Sequence, residues 1–134
     1  MQRKRAVLGV AFALTLGLGG FIAAAPDADA AANARIRCED KGGRLKIQVD
    51  GQDLAAGPYA ALVQNLTLGG SVSKVKNLVL PPGVPLGSLD FDWDSTAGQG
   101  DLDTPINPAF ANPGNLLRVI IFPGTLVGQA TCRS

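Results

Sequence analysis

Apolar and polar residues alternate along this chain in short segments, and turn-forming residues separate the segments every few positions. Residues 35–39 (RIRCE) and 44–50 (RLKIQVD) alternate strictly, and residues 40–43 (DKGG) between them are typical of a turn. A period of two places successive side chains on opposite faces of a β-strand. The pattern therefore predicts a hairpin with one apolar face and one charged face.

Five further segments have the composition of β-strands, with glycine and proline between them. They are residues 58–65 (PYAALVQN), 71–80 (SVSKVKNLVL), 88–95 (SLDFDWDS), 116–122 (LLRVIIF) and 125–132 (TLVGQATC). In the second of these, Val72 and Val75 are three residues apart, which predicts a β-bulge near Ser73 and Lys74. Helix signals are nearly absent. The predicted fold class is all-β, an antiparallel seven-stranded sandwich of the immunoglobulin-like or transthyretin-like type.

The N-terminal segment has the layout of a secretory signal peptide. A basic start precedes an apolar run (residues 6–25), and the small residues after it offer cleavage near Ala30 or Ala34. Retention of the run as a membrane anchor is the alternative, since about 18 apolar residues can cross a bilayer. We therefore expect a signal peptide over residues 1–30 and an exported domain over residues 35–134, located in the periplasm or outside the cell.

The chain has two cysteines, Cys38 near the predicted mature start and Cys132 near the end. Each shares a face with apolar neighbours on its predicted strand. In an exported protein such a pair predicts a disulfide, here one that joins the first and last strands and closes the sandwich. Two free buried thiols are the alternative. Trp93, the only tryptophan, is expected in the core beside the bridge.

Composition and charge remove several function classes. From residue 35 onward, basic and acidic residues are equal in number, so nothing favours binding to nucleic acid, or to a membrane after signal cleavage. The sequence contains no histidine, which removes Ser-His-Asp catalysis and the common zinc sites. Paired cysteines would leave no thiol nucleophile. We therefore expect no catalytic residues and no cofactor, with calcium as the one candidate ion.

The segment SLDFDWDS raises that calcium question, because acids alternate in it with large apolar residues. Asp90, Asp92, Asp94 and Asp101 have the spacing of a calcium-binding loop, but Ser95 stands where such a loop needs glycine. In an extended strand alternate aspartates lie about 6.6 Å apart, too far for one ion to bind three of them. A strand whose acids face solvent is therefore the favoured interpretation.

Neutralisation of these acids is expected from neighbouring basic strands, which carry Arg35, Arg37, Arg44 and Lys46. Two alternatives use the acids for chemistry. One is a calcium site at the strand end, formed by Asp92, Asp94, Asp101 and Asp103 with loop carbonyls. The other is a carboxylate-dependent hydrolase that pairs Asp92 with Asp101 or Asp103.

Residues 96–115 form a connection longer than compact domains normally contain. Thr104 followed by Pro105 predicts a helical turn, and Ile106 and Phe110 are expected to anchor the loop to the sandwich. We interpret the segment as a strap over an open end. A recognition loop for a partner and a disordered segment are the alternatives.

Residues 53–63 (DLAAGPYAALV) resemble a strand entry of transthyretin-like and carboxypeptidase-regulatory-like β-sandwiches. The wider layout is similar to small exported bacterial proteins with Cys38 near the mature start, a Gly-x-Tyr strand (57–59), an acidic-aromatic strand (91–95) and a Thr-Cys-Arg end (131–133). The resemblance implies a sandwich and export, but no activity. We therefore expect a non-catalytic binding or structural module of the cell envelope or surface, whose partner is a protein or a cell-envelope polymer.

Overall fold

A computed structural model describes residues 32–98 and 103–134 of the protein. Over these residues it contains eight β-strands and one short 3-10 turn, and no α-helix. The strands are β1 (Asn33–Lys41), β2 (Arg44–Leu54), β3 (Gly57–Asn65), β4 (Ser71–Leu78), β5 (Gly87–Asp94), β6 (Thr104–Pro105), β7 (Leu116–Phe122) and β8 (Leu126–Thr131). The all-β class is confirmed, but the described residues form eight strands rather than the predicted seven.

The strands form two four-stranded sheets that share one core. Sheet A has the order β1-β2-β5-β6 and sheet B the order β4-β3-β7-β8. All neighbours are antiparallel except β5 and β6. Alternate residues of both sheets meet between them, and the largest fully buried side chains include Trp93, Phe91, Leu45 and Leu117. The expectation that Trp93 is a core residue is confirmed.

A disulfide between Cys38 and Cys132 joins β1 to the residue that follows β8. Both cysteines are buried, and the S–S distance is 2.05 Å. The chain end then runs alongside β1, where Arg133 donates its N–H to the Cys38 carbonyl and accepts from the Asp40 N–H. The predicted bridge is confirmed, and it closes one side of the sandwich.

The bulge predicted near Ser73 and Lys74 is wrong. Strand β4 pairs with β3 without any register shift, so its strict alternation turns Val75 to the outside, where it is 72% exposed. The register shift lies in β2 between Gly51 and Leu54. The error arose because an apolar residue was assumed to face the core.

The long connection after β5 begins and ends as predicted but differs in its middle. Thr104 and Pro105 form the short strand β6, parallel to the end of β5, and not a helical turn. Ile106 is buried and Phe110 packs against the core, so both anchors are confirmed. Residues 99–102 lie outside the described part of the chain.

The folded unit begins at Asn33, slightly before the predicted boundary of residue 35. The signal peptide predicted over residues 1–30 lies outside the described residues. In the part of the chain that the structure describes, no helix has the length and hydropathy to cross a membrane.

Candidate functional site

The outer face of sheet A carries charged side chains in cross-strand rows. Three rows run across β1, β2 and β5: Arg35, Asp50 and Asp90; Arg37, Gln48 and Asp92; Glu39, Lys46 and Asp94. Arg44 and Lys46 therefore lie on the strand next to the acids, as predicted. Arg35 and Arg37 lie one strand further away, so the face is basic along β1 and acidic along β5.

Asp94 accepts more hydrogen bonds than any other described acid of this face. Its Oδ1 accepts from Arg44 Nε at 3.2 Å, from Thr96 N at 2.9 Å and from Thr96 Oγ1 at 2.8 Å, and its Oδ2 lies 2.5 Å from Arg44 Nη2. The hydrogen bonds from Arg44 hold the pKa of Asp94 well below its usual range, against an opposing contribution from burial. Only 3% of Asp94 is exposed, so the expectation that it faces solvent is wrong.

Lys46 forms ion pairs with two of the acids of the predicted calcium site. Lys46 Nζ lies 3.3 Å from Asp103 Oδ2 and 3.8 Å from Asp94 Oδ2. Burial, and then the charges of Asp103 and Asp90, raise the pKa of Asp92, while Lys46 and Lys76 oppose this. The structure thus places Asp94 and Asp103 within ion-pair distance of the Lys46 ammonium group, whose charge also opposes the rise in the pKa of Asp92.

Asp101, the fourth predicted ligand and a partner in the hydrolase alternative, lies outside the described residues. Among residues 32–98 and 103–134, no group of three or more acids or cysteines is arranged to hold a metal ion. Neither alternative is tested by this arrangement, and each stays a prediction.

Asp50 and Asp90 form an acidic pair that the sequence analysis missed. They are direct cross-strand partners on β2 and β5. A side-chain hydrogen bond with Asp90 raises the pKa of Asp50, and burial and the charge of Asp92 add to this, while Arg35 opposes it. Only the pairing register of β2 with β5 shows that these two acids lie opposite each other. Neither sequence segment shows this by itself.

A shallow groove of about 190 Å³ lies on the basic side of sheet A, lined by Arg35, Ile36, Arg37, Gln48 and Asp50. Clefts that enclose small-molecule ligands usually have volumes of about 300–1,000 Å³. The groove is therefore too small to enclose such a ligand, although its arginines can meet an anionic group at the surface.

The outer face of sheet B carries an apolar region beside a polar row (Ser71, Gln64, Arg118 and Gln129), in contrast to the charged outer face of sheet A. Two cross-strand rows form the apolar region: Val75, Ala60 and Phe122, and beside them Ser73, Leu62, Ile120 and Val127, of which Ser73 alone is polar. We call these seven residues the apolar face. Val75 is 72% exposed, Val127 54% and Phe122 38%. Contiguous exposed apolar surface of this kind, with polar residues at its margin, is typical of interaction sites.

None of the charged side chains of sheet B lies on the apolar face. Lys74 and Lys76 point from β4 towards sheet A, where Lys76 Nζ donates to the Asp90 carbonyl at 2.6 Å and Lys74 Nζ donates to Thr104 Oγ1. Within the described residues, Arg118 is the only charged side chain on the outer face of sheet B. It lies in the next row and donates two hydrogen bonds to Gln64 Oε1.

These features define the class of protein: a disulfide-closed β-sandwich with one charged and one apolar outer face. No protein-family model matches this chain, and no curated protein or solved structure is similar enough to it to count as a match. The resemblance to small exported bacterial sandwich proteins therefore stays a prediction.

Proposed function

We propose that this protein is an exported, non-catalytic binding module of the bacterial cell envelope or surface, and that it binds its partner through the apolar face. The apolar face is the observation that carries the proposal. Water contacts two adjacent apolar rows there, and burying them against a partner is favourable by about 25 cal/mol for each Å² removed from water.

Export is supported by two independent features. The buried disulfide is typical of proteins that fold in an oxidising compartment, and the apolar run at residues 6–25 has the layout of a signal peptide. We include in this proposal the finer fold assignment, an immunoglobulin-like or transthyretin-like sandwich, which the two four-stranded sheets and their closing bridge support.

A non-catalytic role is supported by what the acids contact. Asp94 is bound by Arg44, and Asp103 is paired with Lys46, so both carboxylates already neutralise cations of the fold. A partner with an apolar surface, and hence a protein, fits the apolar face better than a charged envelope polymer does.

The proposal can be tested by crosslinking in cells that export the protein. A photoreactive benzophenone side chain is placed at Val127, on the apolar face, or at Ser88, an exposed strand position on the outer face of sheet A. We expect crosslinked adducts from position 127 and none from position 88. No adducts from position 127, or the same adducts from both positions, would contradict the proposal.

A further inference from the structure

The proposed function leaves the occupant of the apolar face open. Resting on that function, we propose that the occupant is a second copy of this chain, packed sheet to sheet about a twofold axis that runs parallel to the strands between β3 and β7. The size, the charge and the register of the face each contribute to this inference.

The outer face of sheet B, of which the apolar face is a part, has an area that a second copy of the same sheet can cover. Strands β7 and β3 have seven and nine residues, which corresponds to about 24–31 Å of extended chain, and four strands span about 19 Å. The flat area is therefore on the order of 500 Å², and side chains standing on the sheet raise the accessible area towards the about 800 Å² per partner of a stable interface. A partner must cover the whole outer face of sheet B, including the polar row beside the apolar face, to reach this value, and a second sheet B does so.

The charge of the face also suits self-association. Among the described residues, Arg118 is the only charged side chain on the outer face of sheet B; it lies beside the apolar face and is already bound to Gln64, so this surface offers little to a strongly charged partner. About the proposed axis, each Arg118 lies over Gln64 of the other copy. Two copies of the seven-residue apolar face, none of whose side chains is charged, remove water from each other. The outer face of sheet A lacks this property, because Asp50, Asp90 and Asp92 lie together on it.

The strand register supports the proposed axis. Because Ala60 pairs with Phe122 and Leu62 with Ile120, an axis parallel to the strands between β3 and β7 lays each residue of these two strands over the cross-strand neighbour of its counterpart. Near the axis, Ala60 then meets Phe122 of the second copy, a small side chain against a large one, and stacked sheets interdigitate in this way. An axis perpendicular to the strands that crosses the row of Leu62 and Ile120 would instead lay Phe122 over Arg118, an apolar ring over a charge.

The first measurement is the mass of the purified, disulfide-bonded protein by sedimentation, from micromolar to near-millimolar concentration. We expect the wild type to convert from monomer to dimer within this range. The Val75→Lys/Val127→Lys variant should remain monomeric, because it buries ammonium groups at the contact, and these exposed positions should leave the melting temperature nearly unchanged. Ser88→Lys, on the other sheet, should dimerise like the wild type.

A second measurement tests the axis. A Leu62→Cys variant should be crosslinked to its own copy by a short bis-maleimide, because position 62 lies beside the axis, whereas Ser88→Cys should not be crosslinked. A wild type that is monomeric at every concentration, or equal dimerisation by the Val75→Lys/Val127→Lys variant, would overturn the inference. In the benzophenone experiment, an adduct of position 127 with a different protein would then leave the proposed function standing, and the absence of any adduct would overturn both.

Discussion

Arg44 and Asp94 form a two-pronged ion pair that joins the start of β2 to the end of β5. Arg44 Nη2 lies 2.5 Å from Asp94 Oδ2, and the carboxylate side is buried while 55% of the Arg44 side chain is exposed. A buried carboxylate is stable only when its oxygens are hydrogen-bonded, and Thr96 supplies the remaining donors. The pair therefore fixes the point where the acidic strand turns into the long connection.

Asp94→Asn should destabilise the fold, because an amide cannot accept the same set of hydrogen bonds and leaves Arg44 without its counter-charge. We expect a loss of about 1–2 kcal/mol in the free energy of unfolding, moderated by the solvent exposure of Arg44. Asp92→Asn is the matched control, since burial and neighbouring acids already raise the pKa of Asp92. Urea denaturation should show a loss for Asp94→Asn alone, and equal losses for the two variants would contradict this account.

Mild acid should stabilise the protein through Asp50. The hydrogen bond with Asp90 raises the pKa of Asp50, so the folded state binds this proton more readily than the unfolded state does. The free energy of unfolding should therefore rise as the pH falls from 7 through the raised pKa, and the gain should be complete below the ordinary value of about 3.9. Asp92 contributes with the same sign.

Asp94 sets the lower limit of this window. Its pKa is lowered, so its contribution is complete above the ordinary aspartate value and is lost as the pH falls through its depressed pKa. Denaturation curves should therefore show a stability maximum in mild acid. Asp50→Asn should raise the stability at pH 7 by a few tenths of a kcal/mol and flatten the rise. A wild type that loses stability steadily as the pH falls from 7 to about 4, the ordinary aspartate range, would show this sign to be wrong.

Local alternation was sufficient to predict the parts of the fold in which apolar residues face the core. The β1-β2 hairpin, the burial of Phe91 and Trp93 and the inward direction of both cysteines all follow from a period of two along single segments. These features could be predicted because each depends on a pattern contained within one strand or one hairpin.

The candidate site could not be predicted in the same way, because it depends on pairing between distant segments. Val75 and Val127 are apolar yet lie outside, and only the register of sheet B shows that they share one surface. The environment of Asp94 likewise depends on its pairing with Lys46, 48 positions earlier in the chain. The apolar face was missed because apolar residues were assumed to be buried. The buried position of Asp94 was missed because acidic residues were assumed to be exposed.

Calcium should not stabilise the wild type, because the Lys46 ammonium lies among the acids that would bind the ion. Thermal melts in EDTA and in millimolar calcium should coincide. Lys46→Gln serves as the comparison, since it removes the competing charge without removing an acid. An increase of several degrees with calcium in the wild type would instead favour the site formed by Asp92, Asp94, Asp101 and Asp103.

Signal cleavage should occur near Ala30 rather than after Ala34. Strand β1 begins at Asn33, and Asn33 and Ala34 pair with Gln52 and Gly51 of β2. Cleavage after Ala34 would remove these pairings. Intact mass measurement of the exported protein should therefore show a chain that retains Asn33, and a mass that includes residues 6–25 would indicate retention as an anchor.

Loss of the disulfide should lower stability without removing the fold. Cys38 and Cys132 are 94 positions apart, so their bond strongly restricts the unfolded chain, and removing such a bridge typically costs about 2–5 kcal/mol. In a Cys38→Ala/Cys132→Ala variant the hydrogen bonds between Arg133 and β1 can still form, because they use backbone atoms. Urea denaturation should therefore give a cooperative transition at lower urea concentration, unaffected by reductant. A variant as stable as the oxidised wild type would mean that the bridge contributes nothing to closing the sandwich, and that the backbone pairing of the chain end is sufficient alone.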